Sequence, residues 1–229
     1  MTVHDMQNLN RETIEYIQNR IRVGMPLSEI KQLCESYLLS HGADSFWYWD
    51  VGAFIFSGRE TARSVSGREY RISDTYVEPN DIITIDLSPQ RDSIWGDLAR
   101  TIIIENGQVI RKPDAVQNEE WRNGLAMELL LHREMKAFVT TETTFHELFE
   151  YINRLIAAHG YINLDFLGNL GHSIVKSKKN RIYTEKGNHA KLSSVEAFTF
   201  EPHIALPGSL YGFKHENIYT FADGILTEL

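Results

Sequence analysis

Two segments of this chain each consist of a strand-like run, a polar turn and a second strand-like run, with an acidic residue on both runs. In the first segment, the runs over 82–87 and 93–104 flank a turn around Arg91-Asp92. Alternating or continuous apolar runs joined by a short polar turn are typical of β-hairpins. A hairpin centred on this turn predicts that Asp86 lies directly opposite Asp97.

The second segment repeats this construction near the end of the sequence. Its strand-like runs over 197–206 and 211–221 are joined by the Pro-Gly-Ser-Leu turn at 207–210. Glycine at the first central position suits a tight hairpin turn. The resulting register predicts that Glu201 lies opposite Glu216.

Two opposed acid pairs are unfavourable unless a cation lies between them. Directly opposed residues of a hairpin have Cβ atoms about 5 Å apart, and like charges at that separation repel. Asp86 and Glu201 also follow apolar runs, so we expect both to end mostly buried strands, where carboxylates need partners. A single acidic residue near a turn is more often solvated. The set of four predicts a metal centre.

A histidine in the segment GNLGHSIV would add a nitrogen ligand to this centre. Gly168 and Gly171, on the N-terminal side of His172, would let the backbone pass close to the site. A lone histidine is more often structural, so the assignment depends on the acids. The predicted metal ligands are Asp86, Asp97, His172, Glu201 and Glu216.

Four motifs of the chain resemble, in the same order, those of the methionine aminopeptidase, Xaa-Pro aminopeptidase and prolidase superfamily of metallopeptidases. The motifs are IDLSPQRDSIWGDLART, GNLGHSIV, FTFEPHI and GFKHENIYTFADG. The resemblance implies an α+β pita-bread fold, with two pseudo-symmetric halves and a curved antiparallel sheet flanked by helices. We expect residues 1–229 to form a single catalytic domain, without the N-terminal domain of typical Xaa-Pro aminopeptidases and prolidases.

The same resemblance implies hydrolysis of a small peptide or amide by a metal-activated water. Oxygen-rich ligation with one imidazole suits Mn, Co, Fe or Zn, and bridging carboxylates can hold two such divalent ions. In the family, the residue at the position of Glu201 is a metal ligand that also carries the proton from water to the leaving amine. Arg100-Thr101 matches an Arg-Thr pair with a supporting role.

Two histidines that the family uses at its substrate site have no counterpart here. One would lie near Arg68 or Glu69, and the other, seven residues after His172, is Lys179. The run KSKKNR around Lys179 is either a solvated loop or part of a changed substrate site. In the second interpretation Lys179 stabilises an oxyanion or binds an acidic substrate group, and Arg68 assists it.

Another histidine is a candidate for the substrate site. His203 lies two residues after Glu201, so both side chains share a strand face if Pro202 causes no bulge. We therefore include His203 with Lys179 and Arg68 among the predicted substrate-binding residues.

Three functions are compatible with these features. We favour an aminopeptidase or dipeptidase-like metallohydrolase. The same metal site acting on a non-peptide substrate is an alternative that the missing histidines allow. A binding protein that has kept the fold and lost the reaction is the third. Family members that became binding modules tend to lose metal ligands, whereas this chain keeps all five.

Composition agrees with a compact enzyme. A chain of 229 residues with 42% hydrophobic content can bury a sizeable core. The net charge of -8 argues against nucleic acid or an anionic membrane surface as a partner. The single cysteine, Cys34, excludes an intramolecular disulfide and falls on the apolar stripe of a predicted helix. With no apolar signal core or membrane-length stretch, we expect a cytoplasmic protein, and a homodimer is compatible with these features.

Sequence patterns also predict the remaining elements. Helices are expected over 6–21 and 27–41, from Pro113 to about Phe138, and from Thr144 to near His159-Gly160, with strands in SFWYWDVGAFIFSG.

Overall fold

The computed structural model describes residues 1–229, with the exception of the Lys178 side chain. The α-helices are α1 (Val3–Gln18), α2 (Leu27–Ser40), α3 (Glu119–Phe138) and α4 (Phe145–Ala158). The strands of the first half are β1 (Ser45–Phe46), β2 (Ala53–Ser57), β3 (Asp81–Leu87), β4 (Pro89–Arg91), β5 (Ile94–Trp95), β6 (Leu98–Glu105) and β7 (Gln108–Ile110). Those of the second half are β8 (Ile162–Asn163), β9 (Ser173–Ile174), β10 (Ala197–Phe200), β11 (His203–Ala205), β12 (Phe213–Lys214), β13 (Asn217–Ala222) and β14 (Ile225–Glu228).

Side-chain caps determine where the helices begin. Thr2 accepts a hydrogen bond from the Asp5 amide, and the Asp5 carboxylate accepts one from the Thr2 amide, which completes a capping box. This cap starts α1 three residues before the predicted boundary of 6. Thr144 and Glu147 form the same box at α4, so the predicted start of that helix is confirmed.

The helix predicted from Pro113 begins later than expected. Pro113–Ala115 forms only a short 3-10 turn, and Val116 returns to extended backbone. The Asn118 side chain then accepts a hydrogen bond from the Trp121 amide and caps the start of α3. The predicted end at Phe138 is confirmed.

The two halves of the chain share one construction. In the first, α1 and α2 precede an antiparallel sheet in the order β2-β3-β6-β7 and a small sheet β1-β4-β5. In the second, α3 and α4 precede the sheets β9-β10-β13-β14 and β8-β11-β12. The predicted α+β class with two halves of similar construction is confirmed. That residues 1–229 form one catalytic domain stays a prediction.

The register of the first hairpin differs from the predicted one. Its turn is Asp92-Ser93, and both residues have positive φ, of 52° and 63°, the pattern of a two-residue type I′ turn. Asp86 therefore pairs with Ala99, and the prediction that it lies directly opposite Asp97 is wrong. Asp97 lies in the break between β5 and β6, outside the regular ladder.

The second hairpin has the predicted register. The ladder pairs Phe200 with Asn217 before the break at Glu201-Pro202 and resumes with an unchanged register in β11 and β12. Glu201 therefore lies across from Glu216. The turn differs in detail, because the Ser209 amide bonds the Leu206 carbonyl and Gly208, with φ of 79°, is the second central residue.

Backbone and side-chain bonds join the halves at their centre. The Glu216 amide donates to the Ala99 carbonyl over 3.0 Å. Arg100 donates from Nη1 to the Glu216 carbonyl over 2.6 Å and from Nη2 to Asn217 Oδ1 over 2.6 Å. Arg100 thus fixes the backbone that carries Glu216.

Two large apolar cores lie against the sheets, and the core of the second half also includes Ile82 and Ile103 from β3 and β6. In the first, α1 and α2 pack against β3 and β6, and Cys34 is buried there as predicted. In the second, α3 and α4 pack against β10 and β11. A third cluster, which includes Trp47, Trp95 and Ile218, contains buried residues from both halves. Among the described residues, no helix has the length and apolar character that a membrane span requires.

Substitution of Gly171 by alanine should destabilise the fold. Gly171 has φ of 135°, and a Cβ there would lie 2.3 Å from the Thr199 carbonyl oxygen. We expect Gly171→Ala to lower the free energy of unfolding by at least about 2 kcal/mol in denaturant titrations. Gly160→Ala is the matched control, because Gly160 also has positive φ but no atom within 4 Å of the added Cβ. It should lose only about 1 kcal/mol, and equal losses would contradict a steric role for Gly171.

Candidate metal centre

Three carboxylates from the two hairpins meet between the halves. One oxygen from each of Asp86, Asp97 and Glu216 lies within 4.8 Å of the others. Asp86 is near the end of β3, while Asp97 and Glu216 occupy strand breaks, so they are not held in the ladder alternation. Asp97 lies two residues before Ala99, the partner of Asp86, so the two acids are diagonal neighbours across the hairpin.

His172 brings an imidazole nitrogen to the same cluster. Its Nε2 lies 3.3 Å from Asp97 Oδ2 and 3.7 Å from Glu201 Oε1. Its Nδ1 lies 3.2 Å from the Ser173 carbonyl oxygen, which can only accept a hydrogen bond. Nδ1 therefore carries the proton, and the Nε2 lone pair faces two carboxylates. Three electron-rich atoms in this arrangement fit a cation between them.

Glu216 shows the same requirement for positive charge. Its side chain is 1% exposed, and neither of its oxygens has a hydrogen-bond partner among the described residues. Burial, and then the charges of Asp97 and Glu201, raise the pKa of the Glu216 carboxyl well above its usual value. Buried oxygen donors and one imidazole match the ligands that divalent metals such as Mn or Zn accept, so the residues present fit a metal centre.

Lys214 is part of the centre, although the sequence did not single it out. Its ammonium lies 2.7 Å from Asp86 Oδ2, 3.0 Å from Glu201 Oε2 and 3.4 Å from Glu216 Oε2. Burial lowers the pKa of Lys214, but the three carboxylates outweigh burial and the pKa is raised well above its usual value. The available signal was its position two residues before Glu216, since residues at that spacing share one face of a regular strand.

The Arg-Thr pair of β6 positions Lys214. Thr101 Oγ1 accepts a hydrogen bond from the Lys214 amide over 2.9 Å and lies 3.2 Å from the Lys214 carbonyl oxygen. Arg100 bonds the backbone of Glu216, two residues later. The pair therefore holds the segment that carries both charged side chains, in agreement with the supporting role expected for Arg100-Thr101.

The centre opens into a cavity of about 180 Å³. Four of the five predicted ligands line it, and the fifth, Glu216, is buried and not among the lining residues. Aromatic side chains form much of its wall: Trp47, Tyr48, Phe54, Phe56, Phe166 and Tyr183. A cavity with apolar walls and charged groups at its base is the usual form of a small-molecule site.

The predicted substrate residues have different locations. His203 lines the cavity; its Nε2 lies 2.7 Å from the Thr61 carbonyl oxygen, and burial lowers its pKa to about 4. Arg68 is exposed beside the Trp49 ring, and Lys179 is also exposed. Neither Arg68 nor Lys179 is among the described residues that line the cavity.

Besides Lys214, three charged residues that line the cavity were not predicted: Arg63, Asp165 and Arg181. Asp165 accepts a hydrogen bond from the Phe166 amide, and burial followed by the charge of Glu201 raises its pKa to about 6. Arg181 is the last residue of the basic run KSKKNR. That run was the signal for Arg181, but the pattern could not distinguish which of its cations turns inward.

The family assignment follows from a match over nearly the whole chain. The model of metallopeptidase family M24 matches residues 3–222. The chain belongs to metallopeptidase family M24. The match includes both hairpins and all five predicted ligands, so the resemblance described from the motifs is confirmed. The comparison with curated proteins finds no match.

Solved structures of M24-type enzymes share the fold of this chain. The X-Pro aminopeptidase from Thermotoga maritima MSB8 is 20% identical, with a TM-score of 0.80 over 99% of this chain and 59% of that protein. The prolidase from Pyrococcus furiosus is 19% identical, with a TM-score of 0.81 over 99% and 61%. The Xaa-Pro dipeptidase from Bacillus anthracis is 18% identical, with a TM-score of 0.80 over 98% and 58%. The chain thus spans about three fifths of the length of these proteins, and the likeness shows the pita-bread fold.

Metal binding to this M24 chain should stabilise it and release protons. Burial, and then the charges of Asp86 and Glu201, raise the pKa of Asp97, so the folded metal-free protein holds protons that the unfolded chain has lost. The free energy of unfolding of the metal-free protein should therefore fall as pH rises through the pKa that Asp97 has in the folded state. Apparent Mn²⁺ affinity should increase over the same range, with proton release measured by calorimetry in two buffers.

Asp97→Ala should lose at least one ion in elemental analysis, because Asp97 lies 3.3 Å from His172 and is one of the three carboxylates that approach one another. The wild-type protein should gain about 2.7 kcal/mol of stability at a free metal concentration of a hundred times Kd. Absence of bound metal together with an unchanged melting temperature on titration with Mn²⁺ or Co²⁺ would contradict the metal assignment.

Loss of the Lys214 charge should matter most when no metal is bound. Lys214→Met removes the ammonium that contacts three of the acids, and breaking a buried ion pair typically lowers stability by about 3–5 kcal/mol. Lys191→Met is the control, because the Lys191–Glu142 pair is largely exposed and should contribute less than about 1 kcal/mol. Equal losses from Lys214→Met with and without saturating Mn²⁺ would show that the ammonium and metal do not neutralise the same carboxylates.

Proposed function

We propose that this M24 chain is a metal-dependent hydrolase with two divalent ions that cleaves a peptide or amide bond at the base of the aromatic cavity. The observation that carries this proposal is the convergence of buried donors, above all Glu216, whose two oxygens have no hydrogen-bond partner among the described residues. Apolar side chains of similar volume would stabilise the fold at these buried positions at least as well as charged ones. A purely structural role therefore does not explain these donors.

The distances support two neighbouring ion positions. On one side, Asp86, Asp97 and Glu216 approach one another within 4.8 Å. On the other, His172 faces Asp97 and Glu201. Asp97 belongs to both groups, as a bridging carboxylate would. Mn, Co, Fe and Zn remain the candidate metals, because each accepts oxygen donors with one imidazole.

Divalent ions held there would lower the pKa of a water and polarise the scissile carbonyl. We assign the accompanying proton transfer to Glu201. Its Oε1 accepts a hydrogen bond from Thr199 Oγ1 over 3.1 Å, and its Oε2 lies 3.0 Å from Lys214 Nζ. Burial raises the pKa of Glu201, but Lys214 and His172 outweigh it and the pKa is lowered. Glu201 is therefore ionised and able to accept a proton and pass it to the leaving amine.

His203 contributes a neutral group to the substrate side of the cavity. Because its Nε2 donates to the Thr61 carbonyl, its Nδ1 is left as an acceptor and lies 3.3 Å from Ser64 Oγ. A low pKa keeps the ring uncharged at neutral pH. We propose that a substrate donor takes the place of the Ser64 hydroxyl on this nitrogen, while the exposed Arg68 and Lys179 remain weaker candidates for direct contact.

The reaction we favour is of the aminopeptidase or dipeptidase type. Structures with the same fold include proteins described as X-Pro aminopeptidase, prolidase and Xaa-Pro dipeptidase, which supports a short peptide substrate. A cytoplasmic location and a homodimer stay predictions.

A non-peptide amide is the second candidate substrate, because the two family histidine positions hold residues that are exposed rather than directed into the cavity. A panel of dipeptides, tripeptides and simple amides, each with Mn²⁺, Co²⁺, Fe²⁺ or Zn²⁺, distinguishes these substrates.

Glu201→Gln tests the proton-transfer role. Since an amide oxygen can ligate but cannot accept the proton, the variant should keep part of its metal and lose about a hundredfold or more in kcat at saturating metal. Thr199→Val is a matched comparison, because it removes the hydroxyl that bonds both Glu201 Oε1 and the His172 amide but leaves the Glu201 carboxylate in place, so it should reduce kcat far less. Wild-type turnover by metal-saturated Glu201→Gln would exclude Glu201 as the shuttle.

A further inference from the structure

Helix α1 contains two fully buried amide side chains, Gln7 and Asn10. Gln7 donates from Nε2 to the Asp97 carbonyl oxygen over 2.9 Å, and its Oε1 accepts a hydrogen bond from the Asp97 amide over 3.0 Å. One carboxamide therefore bonds both backbone polar groups of a predicted metal ligand that lies 90 residues away in the chain. We call these two bonds the Gln7 clamp.

The Gln7 clamp takes the place of a strand partner beside Asp97. Because the register of the first hairpin is unchanged across its break, Ser88 lies across from Asp97. The backbone of Ser88 bonds elsewhere: its amide donates to the Gly52 carbonyl over 3.1 Å, and its carbonyl accepts from the Trp47 amide over 3.1 Å. Buried backbone groups without a partner are costly. Gln7 supplies the two bonds that regular pairing would otherwise provide.

Neighbouring residues hold the clamp in one geometry. Asn10 Nδ2 donates to Gln7 Oε1 over 2.8 Å, so this oxygen accepts from two donors and the carboxamide cannot turn over without losing both bonds. Gly96 allows the helix to come this close, because a Cβ there would lie 2.7 Å from Asn10 Nδ2 and 3.1 Å from Gln7 Oε1. The close approach of α1 to the break thus depends on the residue before Asp97.

The position of the Asp97 backbone decides where its carboxylate lies. Asp97 is outside the regular ladder, so strand pairing does not fix it. Its Oδ2 nevertheless lies 3.3 Å from His172 Nε2, and it is one of the three carboxylates that approach one another within 4.8 Å. Metal–ligand distances in well-formed sites vary by only about 0.2 Å. A carboxylate on a backbone that is free to shift would therefore hold ions less tightly.

We propose that Gln7 is a positioning residue of the metal centre, which fixes Asp97 through its backbone and so increases the affinity for divalent ions. This role rests on the metal centre proposed above and extends it to helix α1. It parallels the role of Arg100, which bonds the Glu216 carbonyl. Each of the two acids that occupy a strand break then has its own side chain to hold its backbone. Loss of a residue that orients a metal ligand typically weakens metal binding by about 10–100-fold.

The first test compares the Co²⁺ affinity of two α1 variants, followed through the visible absorption of the bound ion. Gln7→Met keeps a similar side-chain volume and removes both bonds, so the Kd should rise by about tenfold or more and the absorption spectrum should change. Thr13→Val is the matched control, because Thr13 is also fully buried in α1 and its hydroxyl bonds the Leu9 carbonyl within the helix. It should lose stability but leave the Co²⁺ Kd and spectrum unchanged.

A milder variant and a measurement on wild-type protein complete the test. Asn10→Ala removes one of the two donors to Gln7 Oε1, so it should raise the Co²⁺ Kd by a smaller factor than Gln7→Met. Hydrogen exchange followed by NMR should show that the Asp97 amide is protected in the metal-free wild-type protein, because Gln7 accepts its hydrogen bond. This measurement depends neither on turnover nor on the folding of any variant.

Three results would overturn the positioning role. They are a wild-type Co²⁺ Kd in Gln7→Met, the same rise in Kd in Thr13→Val at an equal loss of stability, and rapid exchange of the Asp97 amide in the wild-type protein. Wild-type protein that binds no Co²⁺ would contradict the metal centre itself, and the positioning role with it. Wild-type affinity in Gln7→Met would contradict the positioning role alone, so the two failures are distinguishable.

Discussion

The convergence of four carboxylates in a buried space is the constraint on which the rest of the structure depends. Asp86, Asp97, Glu201 and Glu216 repel one another, and burial strengthens that repulsion because little water screens it. Lys214 supplies one positive charge for the four acidic side chains and contacts three of them. The remaining imbalance, together with the unprotonated nitrogen of His172, makes the pocket a strong receptor for divalent cations. The fold must hold these groups against repulsion whenever the cations are absent.

The paired construction of the two halves provides that rigidity. Each half presents a long hairpin that is interrupted near its acidic residues, and the strands on both sides of each break are hydrogen-bonded in an unchanged register. The breaks free Asp97 and Glu216 from strict alternation while the flanking ladders fix their positions. Arg100 then bonds the backbone of Glu216 across the interface of the halves. Apolar cores behind each sheet hold the hairpins in place, so the carboxylates cannot separate without loss of packing.

Sequence patterns predicted the elements, and which acidic residues lie close together, better than the details of strand pairing. Apolar periodicity and caps identified the helices. A hairpin centred on the turn at 207–210 gave the correct register around Glu201. The first hairpin failed because a two-residue turn with positive φ is hard to recognise at Asp92-Ser93, and a shift of that turn by one residue moves every pair by two. Lys214 was missed because Asp86, the carboxylate nearest to its ammonium, is more than a hundred residues away in the chain.

The location of charge around the cavity explains why the basic run could not be interpreted from sequence. The sequence pattern does not distinguish the cations of this run. Only the path of the folded chain places Arg181 among aromatic rings and leaves Lys179 exposed. Arg63, Asp165 and Lys214 also line the cavity, beside the acidic donors. These groups come from distant parts of the chain and share one space only in the folded protein. The path of the chain, and no local sequence pattern, therefore decides which charges can act on the same bound molecule.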